Sequence, residues 1–247
     1  MNDASLTGAA IAAEGLRLVK GRHPILEIPA FTVRRGQVLA LVGPNGAGKS
    51  SLLQVLALLQ RPTAGRVLVA GETATRANNL ALRRRMAVVF QDALLLDTTV
   101  RENVILGLKL RGVPRAAALE RAQAWLERLG IAHLADRPAR FLSGGEAQRT
   151  SLARAFALEP EVLFLDEPFS ALDYPTRVGL LREMGDILKG TGITTVFVTH
   201  DYTEIPYLTR DVAVLRDGRL IREGDVEELF GIAGVPSATA RMPWENG

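Results

Sequence analysis

The stretch Val38-Leu39-Ala40-Leu41-Val42-Gly43-Pro44-Asn45-Gly46-Ala47-Gly48-Lys49-Ser50 decides the fold. Its first five residues are apolar without alternation, the pattern of a short strand covered on both faces. Gly43 to Ser50 then satisfies the Gly, four residues, Gly-Lys-Ser spacing of a phosphate-binding loop. From Lys49 to Leu59 the apolar residues Leu52, Leu53, Leu56 and Leu59 return at helical spacing. Strand, loop and helix in this order aim unpaired helix N–H groups at an anion. The glycines let backbone wrap closely around phosphates, Lys49 brings a mobile charge to the outer ones, and Ser50 offers its hydroxyl to Mg²⁺. The expected nucleotide contacts are Gly43, Pro44, Asn45, Gly46, Ala47, Gly48, Lys49, Ser50 and Ser51.

A triphosphate site also needs a carboxylate at the end of a neighbouring buried strand. Val162-Leu163-Phe164-Leu165 followed by Asp166-Glu167 supplies it. Asp166 is placed to hold the metal at the C-terminal edge of a sheet, and Glu167 to orient or deprotonate attacking water. An apolar run ending in Asp-Glu is by itself an ordinary strand-to-loop boundary; beside a phosphate loop it becomes the second half of a site. His200, after Thr194 to Thr199, can donate to a γ-phosphate oxygen. Gln91, after Ala87-Val88-Val89-Phe90, can bridge metal and water. The expected catalytic residues are therefore Glu167, His200 and Gln91, and the expected metal ligands Ser50, Gln91 and Asp166.

Further out, Val67–Val69 and Met86–Phe90 read as strands, Asn103 to Leu110 and Ala116 to Leu129 as helices. Asp173-Tyr174-Pro175 opens a helix running to about Leu188. Asp217-Gly218 marks a hairpin between Asp211–Leu215 and Leu220–Ile221. The short pieces between Leu16 and Val42 suggest a mixed or antiparallel margin. This predicts an α/β fold: an ATP-binding core with β margin in 1–90 and 161–231, an inserted helical subdomain in 91–160, and a loose tail in 232–247.

The chain has 247 residues, 47% of them hydrophobic, enough to bury a large core. No apolar run is long enough to span a bilayer as a helix, and the first residues do not read as a secretory signal. The absence of cysteine removes thiolate chemistry and disulfides. Basic residues exceed acidic ones only 30 to 27, and 26 of the 30 are Arg. That balance weakly favours anionic partners and names none.

In motif content the chain resembles the nucleotide-binding subunits of ATP-binding-cassette (ABC) transporters, of P-loop, RecA-like fold. The phosphate loop, Gln91, the signature Leu142-Ser143-Gly144-Gly145-Glu146-Ala147-Gln148-Arg149, Val162 to Glu167, Ser170-Ala171-Leu172-Asp173 and His200 occur in the family's order. The resemblance implies an ATPase using Mg²⁺, peripheral on the cytoplasmic face of a membrane through permease subunits. It also implies a second ATPase subunit, in a homodimer or a close heterodimer, in which Ser143, Gly144 and Gly145 reach the other chain's ATP. Asp173 would lie at that seam, and an extracytoplasmic solute-binding protein would deliver cargo. The family's adenine-stacking aromatic is missing from Lys20-Gly21-Arg22-His23-Pro24, so His23 or Arg22 is expected over the base.

The segments Arg84 to Gln91, Leu94 to Leu96 and Thr99 to Gly112 look like the importer branch, most closely the ATPases of tungstate or molybdate uptake. Other small-solute importers, such as those for amino acids, are the alternative. A soluble cassette acting on nucleic acid or ribosomes is the weaker rival, so no direct nucleic-acid partner is expected. Only a short segment follows Gly224, which predicts no C-terminal regulatory domain.

Overall fold

The computed structural model describes residues 8–230, so the tail expected at 232–247 lies outside the described residues. The strands are β1 (Ala9–Lys20), β2 (His23–Arg34), β3 (Val38–Val42), β4 (Ala64–Val69), β5 (Glu72–Thr73), β6 (Met86–Val89), β7 (Val162–Asp166), β8 (Thr194–Val198), β9 (Asp211–Arg216) and β10 (Arg219–Asp225). The helices are α1 (Lys49–Leu56), α2 (Asn79–Arg83), α3 (Val100–Leu110), α4 (Arg115–Arg128), α5 (Gly144–Phe156), α6 (Tyr174–Thr191), α7 (Ile205–Leu208) and α8 (Val226–Phe230).

A six-stranded sheet of order β10-β9-β3-β8-β7-β6 forms the core. β9, β3, β8, β7 and β6 run parallel; β10 returns antiparallel through the Asp217-Gly218 hairpin. Alternate residues of each parallel strand enter different cores. Ala40, Val42, Leu163, Leu165 and Phe197 pack with α3 to α6, while Leu39, Leu41, Val162, Phe164 and Val196 pack with α1 and the second sheet. This two-sided burial explains the unbroken apolar runs. The second sheet, β2-β1-β4-β5, is wholly antiparallel and forms the β margin. Between β6 and β7 lie α3, α4 and α5, the helical subdomain. There Trp125 stacks on Phe156 with ring centroids 4.7 Å apart, fixing α4 on α5.

The architecture is thus RecA-like, with a phosphate loop, an antiparallel margin and a helical subdomain. The sequence reading began the margin at Leu16, but β1 starts at Ala9. Its first residues, Ala-Ala-Ile-Ala-Ala, carry helix propensity that pairing with both β2 and β4 overrides. The helix expected to reach Leu59 ends at Leu56, where the chain turns through Leu58 at φ +58°.

The phosphate loop is clamped from two sides. Gly218 donates its N–H to the Ala47 carbonyl (3.0 Å) and accepts from the Glu27 N–H (2.8 Å). It sits at φ +74°, and a Cβ there would lie 2.3 Å from the Ile25 carbonyl oxygen. Three segments distant in sequence therefore meet at one glycine. Gly218→Ala should cost about 1–3 kcal/mol through strain and the displaced backbone. A thermal midpoint lowered by roughly 2–12 °C is the expected reading at this chain length; an unchanged midpoint would count against this clamp.

Candidate functional site

The parallel strands bring the predicted residues to one sheet edge. Leu41 pairs with Val198, Val198 with Asp166, and Leu165 with Val89. The segments leaving these strands thus emerge side by side: Gly43 after β3, His200 after β8, Asp166-Glu167 at the end of β7 and Gln91 after β6. Gln91 is exposed at that edge.

In the loop, Gly43 sits at φ +154°, and a Cβ there would fall 2.0 Å from the Leu215 carbonyl oxygen of β9. Helix α1 starts after Gly48 with no side-chain cap, so its first N–H groups face the loop without a side-chain acceptor. Lys49 is buried, and its Nζ donates to the carbonyls of Gly43 (2.9 Å) and Pro44 (3.1 Å). Burial pulls the Lys49 ammonium below its usual range, opposed by the charges of Glu167 and Asp166. The Ser50 hydroxyl donates to Asp166 Oδ1 at 2.9 Å. Burial pushes the Asp166 carboxyl up, and the Ser50 bond and Lys49 partly counter it while Glu167 adds to it.

These groups fit a hydrated Mg²⁺ carried by phosphates. A hydroxyl and a carboxylate oxygen already in contact are the hard oxygen donors such an ion takes. Among the described residues no group of three or more His, Cys, Asp or Glu could hold a metal alone. An ion bound through one carboxylate and substrate phosphates requires no such cluster.

Glu167 adopts φ +48°, a left-handed conformation uncommon outside glycine. Its N–H donates to the Val198 carbonyl (3.0 Å), and its own carbonyl accepts from Ser170 N–H (3.3 Å) and Ser170 Oγ (2.9 Å). The turn is held from both sides. Its Oε2 lies 3.0 Å from His200 Nδ1, with the imidazole half exposed and Glu167 largely covered. Lys49, Ser50, Asp166, Glu167 and His200 are therefore linked through short polar contacts and strand register.

The signature residues gather elsewhere. Ser143, Gly144 and Gly145 line a cavity of about 440 Å³ together with Asp173 and Thr176. Helix α5 begins at Gly144. Ser143 and Glu146 form a reciprocal capping box: Ser143 N–H and Oγ meet Glu146 Oε2 at 2.7 and 2.9 Å, and Glu146 N–H donates to Ser143 Oγ. Ser-x-x-Glu is the spacing such a box requires. Asp173 caps α6, accepting from Thr176 N–H (3.0 Å) and Oγ1 (2.9 Å), which hold its carboxyl below the usual range. His23 opens β2 on an exposed hairpin, beside Ile25 and Leu26, which approach Gly48.

Behind His200 the structure adds residues that sequence reading missed. Thr199 Oγ1 and Glu204 Oε2 are 2.8 Å apart, both groups buried. Burial pushes the Glu204 carboxyl up to about 7; Asp201 and Glu167 add to this, while the Thr199 bond and Arg177 oppose it. No motif spacing marked Glu204, because its neighbours come from three different segments.

The sequence model of the ABC transporter family matches residues 26–170, and the chain belongs to that family. It is 41% identical over 223 residues to a methionine import ATP-binding protein of Rhodopseudomonas palustris, covering 88% of this chain and 58% of that one. It is 40% identical over 217 residues to a molybdate/tungstate import ATP-binding protein of Thermococcus kodakarensis, covering 87% and 65%. A sulfate/thiosulfate import ATP-binding protein of Brucella melitensis is 38% identical over 250 residues, covering 96% and 69%. The chain thus spans only 58% and 65% of the first two relatives' lengths. Among solved structures, cbiO1 of Clostridium perfringens, part of an ABC transporter complex, superposes with a TM-score of 0.83 at 31% identity, covering 91% of each chain. A dimeric ATP-binding cassette in a post-hydrolysis state with ADP and Pi gives 0.78 at 26%, covering 87% of this chain and 98% of that one.

A carboxyl raised on folding stabilises the protein below its unfolded pKa and loses that contribution as pH rises through the folded value. For Glu204 the window runs from 4.5 to about 7. Relative to the parent, Glu204→Gln should therefore gain about 2 kcal/mol in unfolding free energy between pH 5.5 and pH 8. Urea unfolding at those two pH values reads it, and a pH-independent difference would contradict the raised carboxyl.

Proposed function

We propose that this chain is the ATP-hydrolysing subunit of an ABC importer. The observation that carries the reading is the Ser50–Asp166 contact next to the loop-bound Lys49, with Glu167 following Asp166 and meeting His200. Lys49 would release the loop carbonyls to meet the β- and γ-phosphates. Ser50 and Asp166, joined by Gln91, would hold Mg²⁺, which when bound neutralises phosphate charge. Glu167 would orient the attacking water through its carboxylate, while the His200 ring keeps that carboxylate from turning away. His23 or Arg22 would lie over adenine.

One chain carries two half-sites: a phosphate loop, and a signature cavity with no phosphate loop of its own. Two copies packed head to tail would complete both, Ser143 and Gly145 of each meeting the other's γ-phosphate. In that arrangement the Glu146 carboxylate, which now occupies Ser143, has to yield to the phosphate. Opening and closing of the pair would drive permease subunits at the cytoplasmic face of the membrane, supplied by an extracytoplasmic solute-binding protein. No helix among the described residues is long and apolar enough to cross a membrane, which fits a peripheral subunit.

For the cargo we favour tungstate or a related oxyanion, supported by the relatives named for molybdate/tungstate and sulfate/thiosulfate import. The methionine-import relative keeps an amino acid as the second reading.

Lys49→Ala should abolish Mg-ATP turnover, and Glu167→Gln should retain ATP and elute as a dimer in size-exclusion chromatography with ATP. Normal hydrolysis by the first, or a monomeric second, would defeat the assignment. In the complex reconstituted with permease and solute-binding protein, tungstate or molybdate should stimulate ATPase activity more than methionine does. Stimulation by methionine alone would move the cargo to the amino-acid reading.

A further inference from the structure

Arg177 stands in the first turn of α6, and its backbone N–H donates to the Asp173 carbonyl at 2.9 Å. Its guanidinium reaches across to the turn that follows β8. Nη1 lies 3.3 Å from Asp201 Oδ2 and 3.9 Å from Glu204 Oε1. Arg177 and Asp201 are each three-quarters covered and Glu204 almost wholly so. Such a pair is screened less than a surface one.

The residues it holds flank His200. Thr199 N–H donates to the Leu41 carbonyl of β3, and Thr199 Oγ1 faces Glu204. Asp201 N–H donates to Thr199 Oγ1 (2.9 Å), and Asp201 Oδ1 accepts from Thr203 N–H (2.9 Å). Asp201 thus spends one carboxylate oxygen on its own turn and presents the other to Arg177. His200 sits between these two anchored residues with its ring on Glu167. A continuous series of contacts therefore runs from Asp173, which lines the signature cavity, through Arg177 and the Asp201–Glu204 turn to His200 and Glu167.

We propose that Arg177 is a positioning residue for the hydrolytic site: it fixes the His200 imidazole against Glu167 and ties that pair to the Asp173 end of α6. The inference rests on the ATPase reading for its consequence, though not for its geometry. Arg177 makes no contact with Lys49 or Ser50, so nucleotide affinity is a separate matter from the alignment it provides. Its Nη1 faces the carboxyl groups of Asp201 and Glu204 together, a placement that the rigid guanidinium plane fixes and a flexible lysine ammonium reproduces only in part.

The test uses the whole chain with Arg177→Met, Arg177→Lys, Asp201→Asn and the Met/Asn double variant. For Arg177→Met, kcat for Mg-ATP should fall about tenfold with KM within about twofold, as expected for coupling of this kind. Arg177→Lys should recover part of the loss. The double variant should be no worse than Arg177→Met, since both changes break one link. A second readout needs no ATP. The chain has three histidines, so nitrogen-15 imidazole signals can be assigned by single His→Gln changes. Arg177→Met should shift the His200 signals and leave those of His23 and His133 in place. If Arg177→Met does not fold, Arg177→Lys and Asp201→Asn decide by the same two measurements. Unmoved His200 signals, or an unchanged kcat, in folded variants would overturn the proposal. A parent chain that hydrolyses no ATP would sink the ATPase reading instead, with the imidazole result still deciding the link.

Discussion

Ser50, in the first turn of α1, touches Asp166 at the end of β7 although β8 lies between β7 and β3, the strand that leads into α1, and the rest of the site depends on that contact being possible. Three parallel strands pair so that Leu41, Val198 and Asp166 share one row. Strands that far apart are roughly 10 Å from each other, and only the first turn of α1 closes the gap. A one-residue slip of β7 would send Asp166 to the other face of the sheet and Glu167 into its place. What prevents the slip is the pattern that made the strand legible: Val162 and Phe164 belong to one core, Leu163 and Leu165 to the other. Two apolar faces with different shapes fix the register, and the register fixes the chemistry.

Immediately beyond that row the chain departs from regular geometry. Glu167 is held left-handed, a cost of about 1–2 kcal/mol for a residue with a Cβ. Three backbone and side-chain bonds, from Val198 and Ser170, keep it there. An extended Glu167 would continue the strand direction; the turn instead leaves its carboxylate beside His200. Strain placed one residue after Asp166, and stabilised by the neighbouring strand, suits the preorganised water-orienting role proposed for Glu167.

Much of this was legible because each motif is also a local structural instruction. Gly-rich loops, two-sided apolar strands, Asp-Gly hairpins and Asp173 before Pro175 specify conformations within a few residues. The residues expected at the site inherit their places from those elements. The left-handed Glu167 was not legible, since Asp-Glu-Pro carries no signal for positive φ. Nor were Thr199, Glu204, Asp201 and Arg177 as a group, because their contact is made by packing α6 and α7 on the sheet edge. The Ser143–Glu146 cap could have been read from its spacing. In the fold Glu146 bonds the Ser143 N–H and hydroxyl from within the same chain.

The arginine excess also finds an account in the fold. Arg154 of α5 donates to the carbonyls of Ala93 and Leu94, and Arg111 to those of Leu158 and Met86. Arg85 grips Glu161 with two bonds of 2.6 Å, and Arg149 pairs with Glu183 while reaching the Leu129 carbonyl. Each tie joins segments distant in sequence, and several cross between the helical subdomain and the core. A guanidinium can serve two acceptors in one plane, where an ammonium offers a single strongly hydrated point. Partly buried carbonyls such as those of Ala93, Leu129 and Leu158 take such donors. Arg154 holds the loop after Gln91 through its carbonyls, and Arg177 holds the turn after His200 through its carboxyl groups. Both segments that flank the strand-edge site are thus held by arginines from helices reaching toward the signature cavity.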